Sequence, residues 1–178
     1  MITHVSDEAA HRAASDQERI ARVDEHDVLQ GGMPRAELRA KGLIGRGTFV
    51  LLFDTHGRLC VHQRTASKAV YPAYFDVTAG GMVGEHESYD VCAARELEEE
   101  LGIAGTMLRS HGRFFFDEPG NRLWGAVFSA VSDAPLRVQP EEVQAAWFMP
   151  LEDVLTDTEK RLYCPDSLVA LQCYLADR

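Results

Sequence analysis

Three glutamates within one short stretch pose the chemical question. From Ser88 to Leu101 the chain reads Ser-Tyr-Asp-Val-Cys-Ala-Ala-Arg-Glu-Leu-Glu-Glu-Glu-Leu, and Gly102 follows. On a helix advancing about 100° per residue, Glu96, Glu99 and Glu100 share an arc of roughly 100°. Tyr89, Cys92 and Ala93 share that arc, so the three carboxylates lie on the face expected to meet a core, while Glu98 lies on the other side. Two carboxylates about 6 Å apart repel by roughly 3 kcal/mol at an effective dielectric of 20. Three on a partly buried face call for protonation or a cation. An all-oxygen donor set suits Mg²⁺, with Mn²⁺ as an alternative. Gly80-Gly81 precede this stretch and let the backbone bend tightly, which makes the Gly81 carbonyl a candidate further donor. Arg95 reaches Glu99 at i+4 and is read as fixing carboxylate geometry. Taken alone, Glu-Glu-Glu also fits a solvated acidic helix end.

The elements that must position these groups can be read from pattern. Ser88–Leu101 is the clearest helix, and Gly102 stands where a left-handed cap belongs. Thr48–Phe53 is a strongly apolar strand, Asp54-Thr55-His56-Gly57 is turn chemistry, and Arg58–Arg64 alternates as the partner strand of a hairpin. Phe75–Ala79 is expected as a strand running into Gly80. Further strands are expected at Arg19–Val23, Arg113–Phe116, Leu123–Val131 and Gln144–Phe148. Short helices are expected at Pro34–Lys41 and Pro150–Leu155, and a closing helix at Pro165–Ala176. Strands and helices mix without regular alternation, which predicts an α+β fold with a mixed sheet over a doubly wound one. Residues 1–18 read as a loose arm or a short docked helix, and 19–178 as a single domain.

Composition bounds the partners. The 178 residues carry 28 Asp plus Glu against 18 Lys plus Arg, a net charge of −10. A chain this acidic is a poor candidate for nucleic-acid or anionic-membrane binding. No apolar run approaches the roughly 18 residues that span a bilayer, and the first residues lack the pattern of a secretory signal. The four cysteines (Cys60, Cys92, Cys164 and Cys173) form no C-x-x-C pair. Reduced thiols and a cytoplasmic location are the expectation.

The stretch around the glutamates resembles a known family. It matches the Nudix box, G-x5-E-x7-R-E-U-x-E-E-x-G-U with U a bulky aliphatic, at Gly81, Glu87, Arg95, Glu96, Leu97, Glu99, Glu100, Gly102 and Ile103. A chance match is on the order of 10⁻⁹ per starting position. The resemblance implies a Nudix-type α/β/α sandwich with a mixed sheet, the box forming loop-helix-loop. It also implies Mg²⁺-dependent hydrolysis of a nucleoside diphosphate linked to another group. Carried onto this chain, Glu96, Glu99 and Glu100 are metal ligands, Glu99 also assists water deprotonation, and Glu87 and Arg95 hold loop and helix together. A homodimer is the family-level expectation, with the N-terminal arm as a candidate contact.

Beyond the box, Arg64-Thr65-Ala66-Ser67-Lys68-Ala69-Val70-Tyr71-Pro72 is similar to the Nudix branch that includes type I isopentenyl-diphosphate isomerases, and the whole chain resembles bacterial YfcD-type Nudix proteins. In the isomerases the residues matching Arg64 and Lys68 contact the diphosphate, which makes these two the candidate substrate-binding pair. The isomerase's catalytic cysteine falls at Gly80, its metal-binding histidine at Met82, and its second acidic motif at Trp124–Val127. Those departures favour a hydrolase over an isomerase. The complete box favours it over a non-catalytic binding module. Outside the box, Glu142 is the chosen further acid, with Asp117 and Glu118 as the alternative. His62, His86 and His111 have no ligand spacing and are read as surface or satisfied histidines. Cys92 is read as a packed apolar residue, and Trp124 and Trp147 as core. The attached group of the substrate has no signature in the sequence.

Overall fold

The computed structural model describes residues 3–178, with side chains from residue 7 onward. In chain order the elements are α1 (Thr3–Gln17), β1 (Arg19–Val23), β2 (Leu29–Pro34), α2 (Arg35–Ala40), β3 (Ile44–Phe53), β4 (Leu59–Arg64), β5 (Phe75–Asp76), α3 (Tyr89–Leu101), β6 (Arg109–Glu118), β7 (Asn121–Val131), β8 (Val143–Met149), α4 (Leu151–Asp157) and α5 (Pro165–Ala176).

β3 is buried on both faces, and its alternation sorts the core into two layers. Phe49, Leu51 and Phe53 pack with Leu59 and Val61 of β4, Val127 of β7, Val154 of α4 and Leu171 of α5. Val50 and Leu52 pack on the opposite face with Ala93, Leu97 and Leu101 of α3 and Phe128 of β7. The sheet is therefore sandwiched, with α3 on one side and α4 and α5 on the other. This is the α+β architecture that the mixed element order predicts.

The sheet is mixed because β3 pairs with β7 in parallel, from Gly45↔Leu123 to Phe53↔Val131. The expected β3–β4 hairpin is present but short. Its turn forms, with Asp54 Oδ1 accepting the N–H groups of His56 and Arg58 and Gly57 at φ 75°. Phe53↔Leu59 is nevertheless the only register pair between the two strands. Beyond it β4 diverges from β3 and pairs on that edge with β5, at His62↔Asp76 and Gln63↔Phe75, while its other edge carries β8, from Leu59↔Met149 to Arg64↔Val143. A strand as apolar on both faces as β3 is suited to a parallel partner.

The segment Ala79–Gly84 fills the edge of β3 that β4 abandons. Val50 and Ala79 exchange N–H···O bonds at 2.8 and 2.9 Å, the Thr48 N–H donates to Gly81 O at 3.0 Å, and the Val83 N–H donates to Arg46 O at 2.9 Å. Thus the loop before α3 is fixed by sheet hydrogen bonds. The strand expected over Phe75–Ala79 is shorter, ending at Asp76, whose carboxylate accepts the Thr78 N–H and hydroxyl and turns the chain.

β2 has no strong signal in the sequence, since Gly31, Gly32 and Pro34 are poor strand formers. Pairing with β1 supplies what propensity does not, from Arg19↔Pro34 to Val23↔Leu29. Of the two readings of the N-terminal segment, the helix holds: α1 runs to Gln17, while the first two residues of the expected arm lie outside the described residues. Among the described residues no helix is long and apolar enough to cross a membrane.

Candidate active site

α3 begins and ends where its sequence dictates. Ser88 caps its start by accepting the Val91 N–H at 3.3 Å. Gly102, at φ 72°, closes its end by donating to Glu98 O. The buried sector is drawn by Cys92, Ala93, Leu97 and Leu101, and two carboxylates are carried in with it: Glu96 is 7% exposed and Glu100 2%. Glu99 does not follow, its side chain being 49% exposed. Leu97 and Leu101 pull the buried arc to one side, leaving Glu99 about 100° from its centre. The expected trio on the core face is therefore a buried pair with a third member on the rim. Among the described residues no three His, Cys, Asp or Glu side chains are gathered closely enough to form a metal site by themselves.

The buried pair is held in place from the loop side. The Gly80 N–H donates to Glu100 Oε2 at 3.0 Å. A Cβ on Gly81 would stand 2.4 Å from Glu96 Oε1, and one on Gly80 would stand 1.8 Å from Thr48 O. Neither glycine has a positive φ; close approach, not turn geometry, requires them. The Gly81 carbonyl, read from sequence as a cation donor, accepts the Thr48 N–H and is directed at β3. Its second lone pair is what a cation would use.

Arg95 gathers the remaining carboxylates. Its Nε and Nη2 donate to the two oxygens of Glu87 at 2.8 and 3.0 Å. Its Nη1 donates to Glu96 Oε1 at 2.8 Å and Glu99 Oε2 at 3.1 Å. Glu87 in turn accepts the Gly84 N–H at 2.9 Å, which links the loop to the helix.

The sheet brings a further carboxylate, Glu142. Because β4 and β8 pair up to Arg64↔Val143, the loop after β4 and the turn before β8 are neighbours. Thr65 fixes them by donating its N–H to Glu142 O and its hydroxyl to Glu141 O, both at 3.0 Å. Lys68 Nζ then lies 2.5 Å from Glu142 Oε2, and His11 Nε2 of α1 lies 2.7 Å from Glu142 Oε1. The alternative acids are engaged elsewhere: Asp117 pairs with Arg122 and Glu118 accepts the Tyr71 hydroxyl.

Burial and neighbouring charge separate these groups electrostatically. Burial pushes Glu96 up to about 7, against Arg95 and reinforced by Glu142 and Glu99. Burial and the Glu142 charge hold Glu100 well above the usual carboxylate range, against Lys68. Glu142 is pushed up by burial too, yet Lys68, and then His11, bring it down to about 2, so it is the firm anion of the group.

Beside these groups is a cavity of about 170 Å³, lined by His11, Arg64, Lys68, Asp76, Gly80, Gly81, Glu142 and Asp166 among others. Arg64 is buried in its wall. Its Nη2 donates to Val70 O at 3.0 Å and its Nη1 lies 3.6 Å from Asp76 Oδ2, while Nε has no partner among the described residues. The two residues expected to bind diphosphate thus flank the cavity near the carboxylates.

Some readings are corrected and some are kept. His62 is not a surface or satisfied histidine: it is buried on β4 and its Nε2 has no partner among the described residues. His111 is satisfied by Asp177 and Ser129, and His86 is exposed. Cys92 is buried against Thr48, with burial pushing its thiol up to about 12. His11, Asp76 and Asp166 were missed as parts of the cavity. No motif marks them, because contacts across the fold bring them there.

A mixed sheet between helices, with a glycine loop fastened to the buried glutamates of the following helix, defines the Nudix class. The NUDIX domain family model matches residues 43–165, and the chain belongs to the Nudix hydrolase family. It is 66% identical, over 93% of its length and 98% of the relative's, to an uncharacterized Nudix hydrolase of Pseudomonas aeruginosa. To the uncharacterized Nudix hydrolase YfcD of Escherichia coli it is 35% identical, over 92% of this chain and 90% of the relative. Among solved structures, that of DR0079 from Deinococcus radiodurans has a TM-score of 0.75 at 24% identity, covering 88% of this chain and 99% of the other, a likeness of fold.

Proposed function

We propose that the protein is a divalent-cation-dependent hydrolase, with Mg²⁺ or Mn²⁺ as the ion, cleaving the pyrophosphate linkage of a nucleoside diphosphate derivative or a related organic diphosphate. The observation that carries this reading is the buried pair Glu96 and Glu100, facing Glu142, with Lys68 and Arg64 beside them. Buried like charges without a counter-ion are unfavourable, and a hard cation satisfies an oxygen donor set. Glu96 and Glu100 would hold it, with Glu99 at the rim and Gly81 O as further donors. When bound, the cation supplies Lewis-acid stabilisation of phosphoryl charge and a more acidic water.

The protein's own groups supply the rest. Arg64 and Lys68 bind non-bridging oxygens of the diphosphate. A phosphate oxygen competes with Glu142 for Lys68 and frees Glu142 Oε2, now within the site, to take the proton of the attacking water. The water oxygen bonds to one phosphorus, the bridging P–O bond breaks, and its electron pair leaves with the departing phosphate. Glu99 is the alternative proton acceptor, although its pairing with Arg95 and its exposure favour Glu142 for the task. Glu87 and Arg95 act by holding Glu96 in place.

Turnover of nucleoside triphosphates, a nucleotide sugar, a dinucleoside polyphosphate, coenzyme A and isopentenyl diphosphate in H₂¹⁸O with Mg²⁺ tests the reaction. The expected result is label in a phosphate product of one substrate; products free of label, or isomerised isopentenyl diphosphate, would contradict it.

A further inference from the structure

Glu142 is gripped at both oxygens by two parts of the chain far apart in sequence. Lys68, from the loop after β4, lies 2.5 Å from Oε2, and His11, from α1, lies 2.7 Å from Oε1 across a separation of 131 residues. The Lys68 contact is the one that a substrate phosphate takes over in the proposed reaction. The His11 contact has no such competitor, because a ring N–H donates once and Glu142 already receives it.

The way α1 docks supports a role for this contact. A surface helix ordinarily docks by an apolar stripe. Here Glu8, His11 and Ser15, at helical spacing, line the charged cavity. The helix is tied down by Asp16 to Arg39 at 3.0 Å, while the adjoining Glu18 bonds Arg35 at 2.6 Å. Among the described side chains, burial of apolar surface does not explain why that face is turned inward; the hydrogen bond to Glu142 does. Glu142 itself sits in the turn before β8, its N–H donating to Gln139 O at 3.0 Å, and its side-chain oxygens are met by Lys68 and His11.

We propose that His11 is a positioning residue of the hydrolysis: it holds Glu142 by Oε1 so that Oε2 stays aimed at the attacking water after the diphosphate has drawn Lys68 away. This rests on the reading of Glu142 as proton acceptor. On it, α1 completes the site, and the segment ahead of the family-matched residues 43–165 contributes to catalysis.

The test uses the full chain as wild type, His11→Ala, His11→Gln, Glu142→Gln and the double variant His11→Ala/Glu142→Gln, with circular dichroism confirming the fold of each. Turnover is measured with Mg²⁺ on the diphosphate of the panel above that the wild type cleaves fastest. The expected result is a kcat lower by roughly tenfold in His11→Ala, with KM within about twofold. His11→Gln, whose amide can donate to Oε1, should recover most of the loss, and the double variant should be no slower than Glu142→Gln. Unchanged kcat in His11→Ala, or losses that multiply in the double variant, would overturn the proposal. If Glu142→Gln retains full kcat, the proton-acceptor reading itself fails, and an inert wild type counts against the hydrolase reading; each failure takes this proposal with it. Independently of turnover, ¹⁵N–¹H spectra of the His11 ring should show a protonated Nε2 whose shift moves in Glu142→Gln; a shift that stays put would contradict the contact.

Discussion

The backbone N–H of Gly80 donates to Glu100 Oε2 at 3.0 Å, fastening the loop that enters α3 to the helix's most buried carboxylate. The bond orients a charge that burial and Glu142 both disfavour. It also makes the position of the loop depend on an acceptor at residue 100. A helix placed only for packing would carry an apolar side chain there, as it does at Leu97 and Leu101.

Glu100→Gln separates these two roles. The amide oxygen keeps the Gly80 bond, while the buried charge facing Glu142 is gone. Urea unfolding without divalent cation should show the variant more stable than wild type by about 1 kcal/mol, since stability is given up at sites built for function. Mg²⁺ should raise the melting temperature of the wild type and not of the variant. A variant less stable than wild type would show that Glu100 serves the fold.

The two glycines should respond differently to a single methyl group. At Gly80 the added Cβ would meet the Thr48 carbonyl, which is backbone in the centre of β3. Gly80→Ala should therefore destabilise the protein by about 3 kcal/mol, read by thermal or urea unfolding. At Gly81 the Cβ would meet the end of the Glu96 side chain, which can move. Gly81→Ala should fold with a loss of about 1 kcal/mol and lose turnover by roughly 100-fold.

Arg95 bonds to three carboxylates through a planar fork, and lysine cannot reproduce that geometry. Arg95→Lys should keep the charge and still lower kcat by roughly tenfold to 100-fold. Activity equal to wild type would mean that charge at this position is sufficient.

His62 gives a pH dependence outside the carboxylate group. Burial lowers its folded pKa to about 4, against the opposing pull of Asp76, while an unfolded histidine titrates near 6.5. Between those values the unfolded chain binds more protons, so the contribution is fully present above about 6.5 and is lost as pH falls toward 4, to an extent of about 3 kcal/mol. Unfolding from pH 7 to 4 should show a steeper loss in wild type than in His62→Gln. Parallel curves would contradict the buried neutral state.

What was legible in the sequence was local. The Ser88 cap, the Gly102 cap and the apolar spacing of α3 each act within a few residues, and the apolar run of Thr48–Phe53 marked β3 as a buried strand. The buried carboxylates could be placed because helical periodicity fixes neighbours. Glu99 was misplaced because the extent of a buried arc depends on what packs against it. Long-range pairing was not legible. Nothing in Thr48–Phe53 and Arg58–Arg64 says that Ala79–Gly84 will take the edge of β3 next to β4, and β2 depends on its partner for its conformation. His11 reaches Glu142 only through the docking of α1, and His62 is buried with β4 paired to β5 at Asp76 and to β8 at Ala146.

Product release with Mg²⁺ from the diphosphate panel, wild type beside Glu100→Gln, decides whether the buried carboxylates carry the reaction. Wild type is expected to cleave at least one member at phosphorus, and the variant, folded and at equal concentration, to be slower by at least about 100-fold. Equal rates in the two proteins would contradict the assignment of the buried carboxylates to the reaction.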